Sequence, residues 1–321
     1  DTYGNDSIYV NYATGMYSAT GRSVERLLNC VGGYLPMYGD YSTGMHQYVM
    51  PFMYGIGVSP YENISASSVD QAQNADLVLM FGNSPADNRM GGANVVWDYN
   101  AVREAGPEII HIDYRLNETA AGYPSEWLPI RTGTDAALVA GIAHELITND
   151  WVDLDFLHKY CVGYDEETMP ASAKGQNKSY HDYIMGLGYD KVEKTPEWAA
   201  EITLVPAEKI RELAAKIHDA KAVFVVQGWG LQRHSNGESA TRAVCMLALL
   251  TGNLGKPGTN SGMREAEPPG APVGSLPSSD EDPNGAPMNM VNAKISCYSW
   301  LKAIDEGSNF QKELDATDEI A

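Results

Sequence analysis

The sequence predicts an α/β fold in which a doubly wound, mainly parallel sheet domain is accompanied by part of a second, discontinuous α/β domain. Two observations carry the sheet. Short, continuous apolar runs at 77–81, 109–112 and in "AVFVVQ" (222–227) have the character of strands buried on both faces, not the alternation of half-exposed ones. Between them lie stretches with helical spacing, so strand, loop and helix recur in the order of right-handed crossovers.

The clearest unit is "ADLVLMFGNSPADNRMGGANVVWDYNAVREAGPEIIHIDYR". Its first apolar run stops at Gly82 and a polar turn follows. Val95, Val96, Tyr99 and Val102 then share helical spacing, Gly106 ends that helix, and a second run resumes the sheet. In "LPIRTGTDAALVAGIAHELITND", Thr134 is placed to cap a helix whose apolar face is Leu138, Ile142 and Leu146. "TPEWAAEI" and "VPAEKIRELAAKIHDAK" predict two more helices, each with Pro at its first position, where the missing N–H costs nothing. After "AVFVVQ" come the loop "GWGLQRHSNG", a helix through "ESATRAVCMLALL" and a glycine-rich exit. From Arg264 to about Met290 the composition turns to Pro, Gly, Ser and acid, which reads as a long irregular loop or lid.

The 321 residues, 44% hydrophobic and 20% charged, suffice for a sizeable core and about two globular units. A net charge of −20, from 42 acidic and 22 basic residues, repels phosphate backbones and anionic lipid, so no nucleic acid is expected as a partner. No stretch reaches the ~18–20 uncharged apolar residues of a membrane span, and no direct membrane insertion is expected. The chain opens at "DTYGNDSIYV" without Met, which predicts a cleaved leader or an origin within a longer protein. Cys30, Cys161, Cys245 and Cys297 form no CxxC pair and read as small buried hydrophobes. The seven histidines lack zinc-ligand spacing; His144, His158 and His218 fall on predicted helices and read as surface residues, while His234 lies in a ligand-side loop with its role open.

Ligands of open α/β sheets bind beyond the carboxyl ends of the strands. Four loops take that position here: "GNSPADNR", "DYRLNE", "RTGTD" and "GWGLQRH". Their glycines let backbone N–H groups approach a ligand, and the helix beginning beyond each loop adds partial positive charge suited to phosphate. Asp113 closes a strand where a carboxylate takes a ribose hydroxyl pair. Asp135 has two readings, a helix cap beside Thr134 or an acceptor for the two adjacent donors of a guanine edge. Elsewhere, "GDYSTGMHQYVMPFMYG" (39–55) sets the hydroxyl pair Ser42 and Thr43 between turn-forming Gly39 and Asp40 and Gly44, ahead of a Met-rich, aromatic run. Ser42 lacks the GxSxG setting of a hydrolase nucleophile.

Taken in order, "GGYLPMYGDYSTGMHQYVMP", "FGNSPADNR", "IIHIDYR", "WLPIRTGTDAAL", "QGWGLQRHSNGE" and "LTGNLGKPGTNSGMRE" resemble the blocks of molybdopterin oxidoreductases of the dimethyl sulfoxide reductase family, across about residues 30–265. "VDLDFLHKYCVGYDEETMPAS" is also similar to catalytic subunits of anaerobic dimethyl sulfoxide reductases. The resemblance implies a Rossmann-like sheet domain and a molybdenum bis(molybdopterin guanine dinucleotide) cofactor. Ser42 would be the metal's protein ligand, supplying an alkoxide oxygen beside the dithiolene sulfurs, with the Met-rich surroundings keeping the site dry. Gly82, Asn83, Ser84 and Pro85 would cradle a pyrophosphate, with Asn88 and Arg89 close by; Asp113 and Arg115 would engage nucleoside and phosphate. Gly133, Thr134 and Asp135 would hold the guanine, and Trp229, Gly230, Gln232 and Arg233 would border a pterin for which Gly228 leaves room. Ser84 departs from the commoner second Asn of the family, a change that leaves a backbone role intact.

On the same resemblance the chain is a central slice of a longer catalytic subunit, with residues 1–60 and 264–321 parts of one discontinuous domain that carries the metal-ligand loop and 61–263 the dinucleotide-binding domain. An iron–sulfur cluster is expected only in an N-terminal part beyond this sequence. The implied activity is reduction of a small S-oxide or N-oxide by oxygen-atom transfer, with an iron–sulfur electron-transfer subunit and a membrane anchor as partners and an extracytoplasmic location. This fragment alone is expected to be inactive. The alternatives are another substrate of the same family, a relative that has lost its cofactor, or a non-catalytic guanine-dinucleotide-binding module.

Overall fold

The computed structural model of the chain describes residues 2–11, 23–55, 66–88, 94–122, 125–265 and 288–307. Its strands are β1 (Tyr9–Val10), β2 (Leu35–Tyr38), β3 (Leu77–Phe81), β4 (Glu108–Asp113), β5 (Glu126–Pro129), β6 (Val223–Gln227), β7 (Asn260–Ser261) and β8 (Ile295–Ser296). Its helices are α1 (Ser23–Cys30), α2 (Gly44–Tyr54), α3 (Pro85–Asn88), α4 (Asn94–Ala105), α5 (Glu118–Ala121), α6 (Asp135–Thr148), α7 (Leu154–Tyr160), α8 (Tyr180–Ile184), α9 (Pro196–Thr203), α10 (Ala207–Asp219), α11 (Gly237–Leu250) and α12 (Trp300–Glu306). The chain divides into two compact units, Asp1–Gly44 with Ala271–Ala321, and Met45–Gly270.

The larger unit is built on an all-parallel sheet of order β5-β4-β3-β6-β7. The chain winds outward from β3 in one direction through β4 and β5, then crosses back to β6 and β7, which places a topological switch between β3 and β6. Register aligns the carboxyl ends: Phe81 pairs with both Ile112 and Gln227. The alternation of the pleat sends Leu77, Leu79 and Phe81 into a core shared with α6, α9, α10 and α11. Val78 and Met80 enter a second core with Val95, Tyr99 and Val102 of α4. Both faces are covered, so the apolar runs are continuous, and the fold is the doubly wound α/β class the sequence predicts.

Local chemistry sets the helix ends. Thr195 caps α9 by accepting from the Trp198 N–H, with Pro196 at the first turn. Pro206 instead occupies the N-cap of α10, one position before the expected one. Gly141 lets α6 approach α9, because a Cβ there would lie 2.7 Å from that of Ala199. Helix α6 is covered nearly all round, and this corrects the surface reading of His144: it is buried, with Nε2 2.8 Å from a Glu193 carboxylate oxygen. His158 and His218 are exposed. The cysteine reading holds for Cys245 and Cys297, whereas Cys30 is exposed and Cys161 half-buried.

Helix α2 belongs to the larger unit because Met50 packs against Cys245 and Met263. That boundary falls earlier than position 60, and Arg264 and Glu265 also stay with the larger unit instead of opening a separate segment. The smaller unit carries three short parallel strands in the order β1-β2-β8, with Tyr9 opposite Leu35 and Met37 opposite Ile295. Most of the irregular loop read at 264–290, and Arg89, lie outside the described residues.

Candidate cofactor-binding site

The switch point opens into two adjoining clefts. Gly82, at φ +51°, turns the chain out of β3, and its N–H donates to the Ile112 carbonyl at 2.9 Å. The Gly228 N–H donates to the Phe81 carbonyl at 2.8 Å, and a Cβ on Gly228 would overlap the Gly82 carbonyl oxygen. Two backbone turns thus meet with no side chain between them, which only glycine permits.

The first cleft, of about 300 Å³, is walled by Gly82, Asn83, Ser84, Pro85, Asn88, Asp113, Arg115, Gly228, Trp229, Gly230 and Arg233, with Arg264 and Glu265. The second, of about 420 Å³, shares Gly82, Asp113, Gly230 and Arg233 and adds Gly133, Asp135, Leu231 and His234. Most of the residues expected at a dinucleotide site therefore converge. Thr134 and Gln232 are not in either wall. The Thr134 hydroxyl donates to the Arg131 carbonyl at 2.6 Å and caps nothing. Gln232 is buried, donating to the Trp229 carbonyl at 2.9 Å and accepting from the Met45 N–H at 3.1 Å, so it shapes the loop from beneath.

The rim is held by a polar lattice. Ser84 Oγ donates to Asp87 Oδ2 at 2.6 Å and lies 3.0 Å from Thr119 Oγ1, while Thr119 Oγ1 accepts from the Ala86 N–H at 3.0 Å. Arg115 reaches Asp87 at 2.7 Å and Glu118 at 3.2 Å, leaving the guanidinium 44% exposed at the cleft mouth. Asp113 accepts from Asn117 Nδ2 at 2.7 Å, and Asn117 in turn caps α5 through the Ala120 N–H.

Asp135 stands differently. It is buried at the first turn of α6 and makes no ion pair among the described residues. Burial, the dominant cause, pushes its carboxyl up to about 6, with the Asp113 charge acting in the same sense and its own backbone N–H and His234 opposing. A buried carboxylate without a cation is costly, and two parallel N–H donors on a ligand would repay it.

Two residues of the first cleft's wall, Arg264 and Glu265, escaped the sequence reading. Arg264 places its guanidinium 4.7 Å from the centre of the Trp229 ring, a cation–π contact. Glu265 is buried and accepts from Asn83 Nδ2 at 3.1 Å; burial pushes its carboxyl up, opposed by Arg264 and the hydrogen bonds it accepts. Both head a run of Pro, Gly and acid that reads as an irregular loop, although the block "LTGNLGKPGTNSGMRE" ends on them. His46 of α2 is buried with Nε2 3.2 Å from Gln227 Oε1, and burial pushes it down to about 4, helped by the charges of Arg264 and Arg233.

Ser42 belongs to the smaller unit, in the turn after β2. Asp40 organises that turn: its carboxylate accepts from the Ser42 N–H at 2.7 Å, the Thr43 N–H at 3.2 Å and the Thr43 hydroxyl at 2.6 Å. Tyr298 donates to the Asp40 carbonyl at 3.0 Å, tying the turn to the segment after β8. Thr43 is wholly buried and Ser42 half-buried, so the expected pair of presented hydroxyls reduces to one. Among the described residues no group of three or more His, Cys, Asp or Glu side chains is placed to hold a metal ion. A cofactor that brings its own sulfur ligands needs only one protein oxygen.

Residues 1–318 match the family described as Molybdopterin oxidoreductase. The chain belongs to that family. It is 46% identical to dimethyl sulfoxide reductase DmsA of Escherichia coli (strain K12) over 95% of its length, and 42% identical to DmsA of Haemophilus influenzae over 98%. It is also 30% identical to trimethylamine-N-oxide reductase of H. influenzae over 95% of its length. The chain covers only 37–38% of each of these relatives. Membership implies a molybdenum–molybdopterin cofactor, and the residues present fit an anionic, ring-bearing group: glycine turns that leave room for a phosphate, arginines in the cleft wall and, among the described residues, a buried carboxylate with no ion pair.

Proposed function

We propose that this chain is the central part of the catalytic subunit of a molybdenum bis(molybdopterin guanine dinucleotide) enzyme that reduces a small S-oxide or N-oxide. The observation that carries the guanine form is Asp135, buried without a counter-ion beside Gly133, whose surroundings are open to within 4 Å of a would-be Cβ. A guanine edge offers the two adjacent donors that this carboxylate lacks.

When bound, the cofactor supplies a metal for oxygen-atom transfer coupled to two electrons and two protons. The chain's share is placement. The turns at Gly82 and Gly228, whose own N–H groups are spent on the Ile112 and Phe81 carbonyls, leave room for the pyrophosphate, with Ser84 and Pro85 at the start of α3 beside it. Asn83 and Asn88 line its side, Arg115 and Arg233 supply positive charge, and Asp113 takes the ribose. Trp229 and Gly230 border a pterin, with the Trp229 ring steadied by Arg264. Gln232 and Thr134 hold the loops that present these groups. Ser42 offers the single oxygen for the metal from a turn locked by Asp40.

The names of the relatives support a dimethyl sulfoxide-like or N-oxide substrate. An iron–sulfur subunit as electron donor, a membrane anchor, an iron–sulfur cluster held outside this segment and an extracytoplasmic location complete the reading. It is tested by denaturing the purified full-length protein and assaying molybdenum and released nucleotide, alongside turnover of S-oxides and N-oxides with a reduced dye. Two guanine nucleotides per molybdenum and oxide-dependent dye oxidation are expected; absence of either would overturn it.

A further inference from the structure

A third cavity, of about 770 Å³, shares no residue with the two clefts. It is formed by the segment 163–191, which adds nothing to the sheet, and by Arg242 on α11. In a chain of net charge −20 its wall holds Lys178, Lys191 and Arg242 and no carboxylate. Lys178 and Arg242 are exposed and make no hydrogen bond or ion pair among the described residues; the Lys191 ammonium donates to the Leu187 carbonyl at 2.7 Å. Unpaired cations gathered around a concavity, where the surrounding surface is acidic, focus positive potential into it.

The wall is also aromatic and shaped. Tyr180, Tyr183 and Tyr189 line it, and the rings of Tyr183 and Tyr189 lie nearly parallel, 12° apart with centroids at 6.1 Å. Tyr189 is 87% exposed, so one aromatic face is left open. Asn177 and Lys191 both adopt left-handed backbone, at φ +52° and +54°, a conformation that side chains with a Cβ adopt at a cost. The strand of chain between them is pinned by a reciprocal cap in which Asp182 N–H donates to Ser179 Oγ at 3.0 Å and Ser179 Oγ donates to the Asp182 carboxylate at 2.7 Å. The concavity is thus preformed, and its volume lies in the range of small-molecule sites.

We propose that this cavity binds a small aromatic anion, a planar ring carrying phosphate or carboxylate, with Lys178 and Arg242 taking the anionic group and Tyr189 the ring. The site is independent of the cofactor clefts. The test titrates the full-length protein with adenosine 5′-monophosphate by calorimetry, with adenosine and inorganic phosphate as single-feature probes. Saturable binding is expected for the nucleotide, at least about tenfold tighter than for either fragment, since charge and stacking each add to it. Lys178→Gln and Arg242→Gln should each weaken it by about tenfold, with thermal unfolding unchanged because neither side chain has a partner to lose. Arg233→Gln, in the cofactor clefts, should leave it unaltered. No binding at millimolar nucleotide, or binding that survives the Lys178→Gln/Arg242→Gln double variant, would overturn the proposal. Equal affinity for free phosphate would overturn the aromatic half of it.

Discussion

Asp135→Asn tests the guanine site through its cost to the empty protein. The carboxyl is pushed from 3.8 to about 6, and about 2 units at 1.36 kcal/mol each amounts to about 3 kcal/mol. A group whose folded pKa is raised favours folding fully below its unfolded value, and that stability is lost as pH rises through about 6. At pH 7.5 the cofactor-free fold therefore carries the whole penalty, and the amide removes it while keeping one acceptor for the backbone. Allowing about 1 kcal/mol for the weaker hydrogen bond, the variant gains about 2 kcal/mol, a rise in Tm of about 4–8 °C for a unit of this size. At pH 5 the penalty is about half as large, so the rise should shrink accordingly. The same substitution sets a donor against guanine's second donor, so cofactor content of the full-length protein should fall while the fold is strengthened. Thermal unfolding of cofactor-free protein at the two pH values decides it. A lower Tm at pH 7.5, or an equal gain at both, would refute the reasoning.

Gly228→Ala should cost about 1–3 kcal/mol, because its Cβ meets the Gly82 carbonyl and the Asn83 Cα and must drive the two turns apart; an unchanged Tm and unchanged cofactor content would count against the close approach. His46, pushed down to about 4 by burial, stabilises the fold above 6.5, and that stability is lost as pH falls from 6.5 toward 4 because the unfolded state takes up the proton first. Between pH 7.5 and 5 the loss is about 2 kcal/mol. His46→Gln should flatten the pH dependence of urea unfolding by that amount, and an unaltered slope would show that His46 titrates normally.

The sheet was readable because β3, β4 and β6 are buried on both faces: β3 is wholly apolar, β6 is apolar up to Gln227, and the apolar run of β4 is interrupted only by His111, a pattern that no half-exposed strand would share. The clefts were readable because glycine and polar residues interrupt those runs at one end only, and register then brings the interruptions together. Side-chain direction was not readable. Gln232 sits between two cleft-lining residues, yet its amide is drawn inward by the Met45 N–H and the Trp229 carbonyl, a demand set by distant backbone. Thr134 precedes a helix but spends its hydroxyl on Arg131. Glu265 reads as part of an irregular loop until the fold supplies the Asn83 donor, and His144 reads as exposed until α9 and the 185–194 segment close over α6. Strands of two residues, such as β7, carry no periodicity at all and are defined by their neighbours.

The central claim is that Ser42 gives the metal its protein oxygen. Replacing Ser42 by Cys in the full-length protein and measuring X-ray absorption at the molybdenum edge tests it directly, since the surrounding turn is held by Asp40 and Tyr298 and survives the exchange. The account predicts one oxygen neighbour fewer and one sulfur more around molybdenum, with cofactor content retained and oxide turnover sharply reduced. A metal shell identical to that of the unmodified protein, with undiminished turnover, would contradict it.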